Sequence, residues 1–127
     1  MAQDKFATAV NCMDGRTQLP VMEYLKDKYG VDHVDAVTEP GPIKALAEGD
    51  DHKTLESIKR RIDISVNKHG SSVIALVGHH DCAGNPVDRS IQETQLKKSV
   101  EKIRSWNYDV EIICLYVNED WSVEVLE

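Results

Sequence analysis

The sequence predicts an α/β fold: a three-layer sandwich with a mostly parallel central sheet of four strands, an antiparallel edge strand beside it, and helices on both faces. Two observations predict it. Short apolar runs alternate with helical periodicity over stretches of about 12 to 18 residues, the pattern of βαβ units. The runs Phe6–Val10, Val73–Val77 and Val110–Val117 are largely apolar rather than alternating, as strands covered on both faces are.

Each element has its own signal. Strand one, Phe6 to Val10, ends at Asn11-Cys12. In helix one Pro20 suits the first turn, Val21, Met22, Leu25 and Tyr29 share a face, and Gly30 stops it. Val34 to Val37 is strand two. Glu39-Pro40-Gly41-Pro42 is expected to be a loop, since two prolines and a glycine break regular structure. Helix two runs from about Lys53 to His69 with Leu55, Ile58, Ile62 and Val66 at helical spacing, and Gly70 ends it. Val73 to Val77 is strand three, between Ser71-Ser72 and Gly78. Helix three spans about Asp88 to Ser105, with Ile91, Leu96, Val100 and Ile103 inward. Val110 to Val117 is strand four, Asn118-Glu119-Asp120 a turn, and Ser122 to Leu126 the edge strand.

The 127 residues suit one domain, 1–127. A net charge of -7 argues against nucleic acid and against membrane surfaces, because both present negative charge. No apolar run is long enough to cross a bilayer, and the amino-terminal residues lack a signal peptide's basic and apolar segments. A cytoplasmic protein is expected. Three cysteines are an odd number for a disulfide framework, so metal or thiol chemistry is the better question.

In open sheets of this kind ligands bind beyond the carboxyl ends of the strands. Cys12-Met13-Asp14-Gly15-Arg16 follows strand one, and His79-His80-Asp81-Cys82 follows strand three. Cys12, His79 and Cys82 make a two-thiolate, one-imidazole set, which suits zinc and leaves a fourth position open. Each cysteine alone would read as a small buried hydrophobe, and Cys114, between Ile113 and Leu115, reads as core. Asp14 and Arg16 alone would read as a surface ion pair. Thiol redox chemistry between Cys12 and Cys82 is the weaker alternative, since the chain has no Cys-x-x-Cys. Gly-x-Gly-x-x-Gly is absent too, and Arg16 follows Cys12 by four positions where a phosphatase loop needs six.

The two motifs together resemble the β-class carbonic anhydrases, which carry Cys-x-Asp-x-Arg after the first strand and His-x-x-Cys after the third. The resemblance covers Phe6 to the end of the chain. It implies one zinc per chain on Cys12, His79 and Cys82, and reversible hydration of carbon dioxide to bicarbonate by zinc-bound hydroxide. It implies that Asp14 either takes the fourth zinc position or turns away to pair with Arg16. His79 fits the family spacing better than His80, which is expected in solvent beside Asp81, a hydrogen-bond acceptor. His33, His52 and His69 are expected at the surface. A homodimer follows from the resemblance, with the exposed edge strand as a further hint.

The chain departs from the family where an Arg-Asn-Ala-Gly stretch is usual. Here it has Thr38-Glu39-Pro40-Gly41, of which only Gly41 matches. Gly41, with Gly84 in the turn after Cys82, is the candidate substrate-binding position, and Glu39 faces either the zinc or water. With strand one beginning at Phe6, the amino-terminal arm usual in the family is not expected. An altered pocket leaves open carbon disulfide or carbonyl sulfide as substrate, and a closed, non-catalytic zinc site is the other alternative.

Overall fold

In the computed structural model, which describes residues 4–126, five strands form one sheet in the order β2-β1-β3-β4-β5. The strands are β1 (Phe6–Cys12), β2 (His33–Glu39), β3 (Val73–His79), β4 (Glu111–Val117) and β5 (Val123–Leu126). Only β5 is antiparallel, pairing with β4. The first three residues and Glu127 lie outside the described residues. Helix α1 (Gly15–Tyr29) covers one face. Helices α2 (Pro42–Glu48), α3 (His52–Asp63) and α4 (Arg89–Arg104) cover the other. The α/β sandwich and its antiparallel edge are as expected from the sequence.

Alternation along the strands builds two cores. Ala7, Ala9, Val73, Ala75 and Val77 meet Val21 and Leu25 of α1. Val10, Ile74 and Leu76 meet Ile43, Leu46, Ile58, Ile62, Leu96 and Ile103 of the other helices. Cys114 lies in this second core, as predicted.

Four expectations need correction. Helix α1 starts at Gly15 rather than near Pro20, because the Asp14 side chain accepts from the Arg16 backbone N–H and caps it. Pro20 is therefore inside the helix. Pro42 ends no regular element; it opens α2 at the first helical turn, where a missing N–H costs nothing. Strands one and three run two residues beyond Val10 and Val77, to Cys12 and His79. In α4 the inward stripe is Gln92, Leu96, Ser99 and Ile103, and Ile91 is 47% exposed. Gln92 displaces Ile91 because its amide satisfies a strand backbone that no apolar side chain could.

The predicted helix two keeps its extent but not its geometry. It becomes a π-helical turn over Ile64–Lys68, which turns Ser65 inward. Ser65 Oγ lies 2.6 Å from Thr8 Oγ1 and 2.7 Å from Ser71 Oγ, so three buried hydroxyls satisfy one another.

Candidate metal centre

The ladder between β1 and β3 ends at Val10–Leu76. Both strands run on, to Cys12 and His79, and so they fork at the point where the order of the sheet reverses. That crevice is where open α/β sheets take ligands. Cys12 enters from one prong. His79 and, after a tight turn, Cys82 enter from the other. All three are buried, and their ligand atoms lie within 4.8 Å of one another. The two sulfurs are 3.8 Å apart, and both thiols are free.

The imidazole is aimed by its surroundings. His79 Nδ1 lies 2.7 Å from the His80 carbonyl oxygen, so Nδ1 carries the proton and Nε2 keeps its lone pair. Among the described residues, Nε2 is the one buried side-chain nitrogen or oxygen without a hydrogen-bond partner. A buried polar atom left bare is costly, so a cation facing that lone pair accounts for it. The Gln92 amide holds the backbone behind it. Gln92 Nε2 donates to the His79 carbonyl at 2.8 Å, and His79 N–H donates to Gln92 Oε1 at 2.9 Å.

Backbone N–H groups of Gly41 and Asp14 face the Cys12 sulfur, and those of Gly84 and Asn85 face the Cys82 sulfur. The Cys12 thiol is held well below its ordinary value. The hydrogen bond from Cys82 is the main cause, burial opposes it, and His79 and the two N–H groups add to it. Cys82 is pushed up by its bond to Cys12, by burial and by the Cys12 thiolate it faces. Burial opposes charging His79, but Cys12 and the His80 carbonyl outweigh it, so its pKa is raised. A cation between the two sulfurs would let both ionise. Two thiolates and an imidazole suit a soft or borderline metal ion.

Asp14 and Arg16 lie at the rim. Arg16 Nη2 is 2.7 Å from Asp14 Oδ2 and Arg16 Nε is 3.0 Å from Asp14 Oδ1. That fork holds the Asp14 carboxyl down at about 2, with burial opposing and the Arg16 backbone N–H assisting. Arg16 also reaches the Asp81 carbonyl oxygen at 3.2 Å and lies over the Trp121 ring, 4.3 Å from its centroid. Asp81 thus accepts from Arg16, and its carboxylate is exposed. His80 is exposed, as expected, with its ring edge-on to Trp121. His33, His52 and His69 lie at the surface, away from the site; His33 pairs with Asp4, and His69 with Asp35.

The altered loop does not bring its carboxylate to the crevice. Glu39 turns away from the sulfurs and pairs with Arg61 of α3, partly exposed to water at the edge of a cleft. Gly41 and Gly84 let two loops touch. A Cβ on Gly84 would fall 2.7 Å from the Pro40 backbone, and one on Gly41 would fall 2.7 Å from Asn85 Cβ. The cleft of about 250 Å³ that both glycines border is polar, lined by Glu39, Lys44, Glu48 and Asp51, and none of the three candidate ligands lines it.

Two residues of the site escaped the sequence reading. Gln92 was signalled by a polar position in the stripe it shares with Leu96, Ser99 and Ile103. Trp121 was signalled by a large aromatic in a short polar turn at a strand's carboxyl end.

A family model described as "Putative carbonic anhydrase" matches residues 2–127. No curated protein sequence matches the chain. Among the solved structures similar in fold are two from fungi. One comes from a study of two tetrameric β-carbonic anhydrases of the filamentous ascomycete Sordaria macrospora. It aligns with a TM-score of 0.54 at 13% identity, covering 98% of this chain and 82% of that one. The other is the β-carbonic anhydrase CafA of the fungal pathogen Aspergillus fumigatus, with a TM-score of 0.51 at 11% identity, covering 99% and 77%.

Proposed function

The chain belongs to the carbonic anhydrase family whose model spans it, and from that premise we propose that it is a zinc enzyme hydrating carbon dioxide reversibly to bicarbonate. Cys12, His79 and Cys82 would hold one zinc ion. Two sulfurs bound at about 2.3 Å in a tetrahedral shell stand about 3.8 Å apart, which is the spacing of Cys12 and Cys82. When bound, zinc supplies a Lewis acid that makes water nucleophilic near neutral pH.

The observation that carries the reading is the posture of Asp14. Its carboxylate accepts from Arg16 Nε, from Nη2 and from the Arg16 backbone N–H, so it is tied back as a helix cap. That posture favours an open fourth position over a closed site. Asp14 stays ionised there and would act as a hydrogen-bond acceptor that orients the nucleophile toward the carbon of the substrate. Arg16 keeps Asp14 charged and in place. Gly41 and Gly84 shape the substrate wall through backbone, since both meet the crevice through their N–H groups.

Stopped-flow carbon dioxide hydration tests this on protein verified to hold one zinc per chain. Catalysis above buffer is expected, and Asp14→Asn should abolish it while retaining zinc. Zinc-loaded protein without catalysis would overturn the reading and point to another substrate, such as carbonyl sulfide, or to a closed site. We read the chain as one domain and as a homodimer, which light scattering checks. The tetrameric state named for the Sordaria macrospora enzymes supports self-association. Three free cysteines suit the cytoplasm. Among the described residues no helix is long and apolar enough to cross a membrane.

A further inference from the structure

One guanidinium joins three loops. Arg16 opens α1, just after β1, and its partners come from the β3–α4 loop and the β4–β5 turn. On one edge it faces Asp14. On its other side Nη2 reaches the Asp81 carbonyl oxygen at 3.2 Å and Nη1 reaches Asp81 Oδ2 at 3.5 Å. Beneath it lies the Trp121 ring, 4.3 Å from centroid to guanidinium carbon. The Arg16 side chain is 46% exposed, and an ion pair that open to water holds its geometry weakly unless other contacts fix it.

Those contacts are built with care. Trp121 and Asp81 both have φ of 58°, a left-handed conformation uncommon outside glycine. Trp121 is held there by a tight turn. Its N–H donates to the Asn118 carbonyl at 2.9 Å, while Asn118 Oδ1 accepts from the backbone of Asp120 and Ser122. The indole covers one face of the guanidinium and Asp81 takes the outer edge. The edge that remains, Nε with Nη2, points at Asp14.

We propose that Trp121 and Asp81 are positioning residues that hold Arg16 in the pose tying Asp14 back, and so set how often Asp14 reaches the fourth metal position. The inference rests on the reading of Asp14 as the group that opens or closes that position. It extends the reading to two residues outside the Asp14–Arg16 pair. Loss of the indole face should shift the ratio of closed to open site about two- to fivefold, the range of a cation–π contact at an exposed position.

The test uses the full chain loaded with cobalt(II) in place of zinc, whose visible spectrum distinguishes a carboxylate from water as fourth ligand. Arg16→Ala should move the spectrum toward the closed form. Trp121→Ala should move it part of the way, Trp121→Phe should restore it, and Asp81→Asn should move it in the same direction. The double variant Arg16→Ala/Trp121→Ala should match Arg16→Ala alone, because Trp121 acts through Arg16. Hydration kcat should fall with the open fraction and KM should hold. A shift with Arg16→Ala but none with Trp121→Ala would overturn the proposal, and so would additive effects in the double variant. No shift with Arg16→Ala would overturn the Asp14 reading itself and the proposal with it. Should Trp121→Ala fail to fold, Trp121→Leu replaces it: Leu keeps the apolar cover without the π face and must behave as Ala is expected to.

Discussion

Replacing Gln92 by Met should weaken both the fold and the grip on metal. The side chain is 2% exposed and near in length to Met, so volume is roughly conserved. What disappears is the amide pair at 2.8 and 2.9 Å that satisfies the His79 carbonyl and N–H. Two buried backbone groups are then bare, at about 1–3 kcal/mol each, or about 2–6 kcal/mol together. With an unfolding entropy of about 2.1 cal/mol/K per residue, that corresponds to a fall in Tm of roughly 7 to 22 °C for a chain of this length. Because the same bonds orient the imidazole from behind, zinc affinity should fall about 10- to 100-fold. Calorimetry on metal-free protein measures the first effect, and competition with a chromophoric chelator measures the second. A metal-free Gln92→Met protein melting within about 2 °C of the parent, with unchanged zinc affinity, would refute this account of how His79 is held.

Cys82→Ser should lose metal and the stability that metal binding adds; zinc content by elemental analysis and Tm with and without chelator check it, and only the parent should respond to chelator. Gly84→Ala puts a Cβ 2.7 Å from the Pro40 backbone, where no flexible side chain can yield. It should cost about 1–3 kcal/mol by denaturant titration, with a smaller cost expected where an exposed glycine such as Gly15 is changed. Asp14 titrates at about 2 in the folded protein, below its ordinary 3.8. Its contribution is therefore complete above about pH 4 and lost as pH falls toward 2. Acid unfolding of metal-free Asp14→Asn should lack that part of the slope.

The strands and both core faces were legible because burial on both sides of a parallel sheet writes itself as unbroken apolar runs such as Val73–Val77. The candidate metal ligands were legible for a related reason: the topology sends strand ends to one crevice, and Cys12, His79 and Cys82 stand at those ends. Three things were harder to see. Pro42 reads as a breaker in the sequence because its place in a helix depends on where the helix starts, which Gly41 and the α4 contacts decide. Ile91 reads as core because periodicity weighs apolarity, whereas Gln92 is inward for a hydrogen-bonding reason that only the neighbouring strand reveals. Glu39 was ambiguous until Arg61, 22 positions away, supplied its partner.

The fork between β1 and β3 bears on how the molecule assembles. β1, α1 and β2 make one local unit; β3, α4 and β4 make another. The seam between them joins Thr8 to Ile74 and Val10 to Leu76, residues distant in the chain. Closing so long a loop costs more entropy than forming either unit, so the seam is expected to form late. One unit carries a single sulfur donor, and the other carries the imidazole and the second sulfur. A chain caught before the units dock can offer an ion at most two of the three donors. Metal uptake during refolding should therefore run at the rate of seam closure, and its time course would act as a clock for the last step of folding.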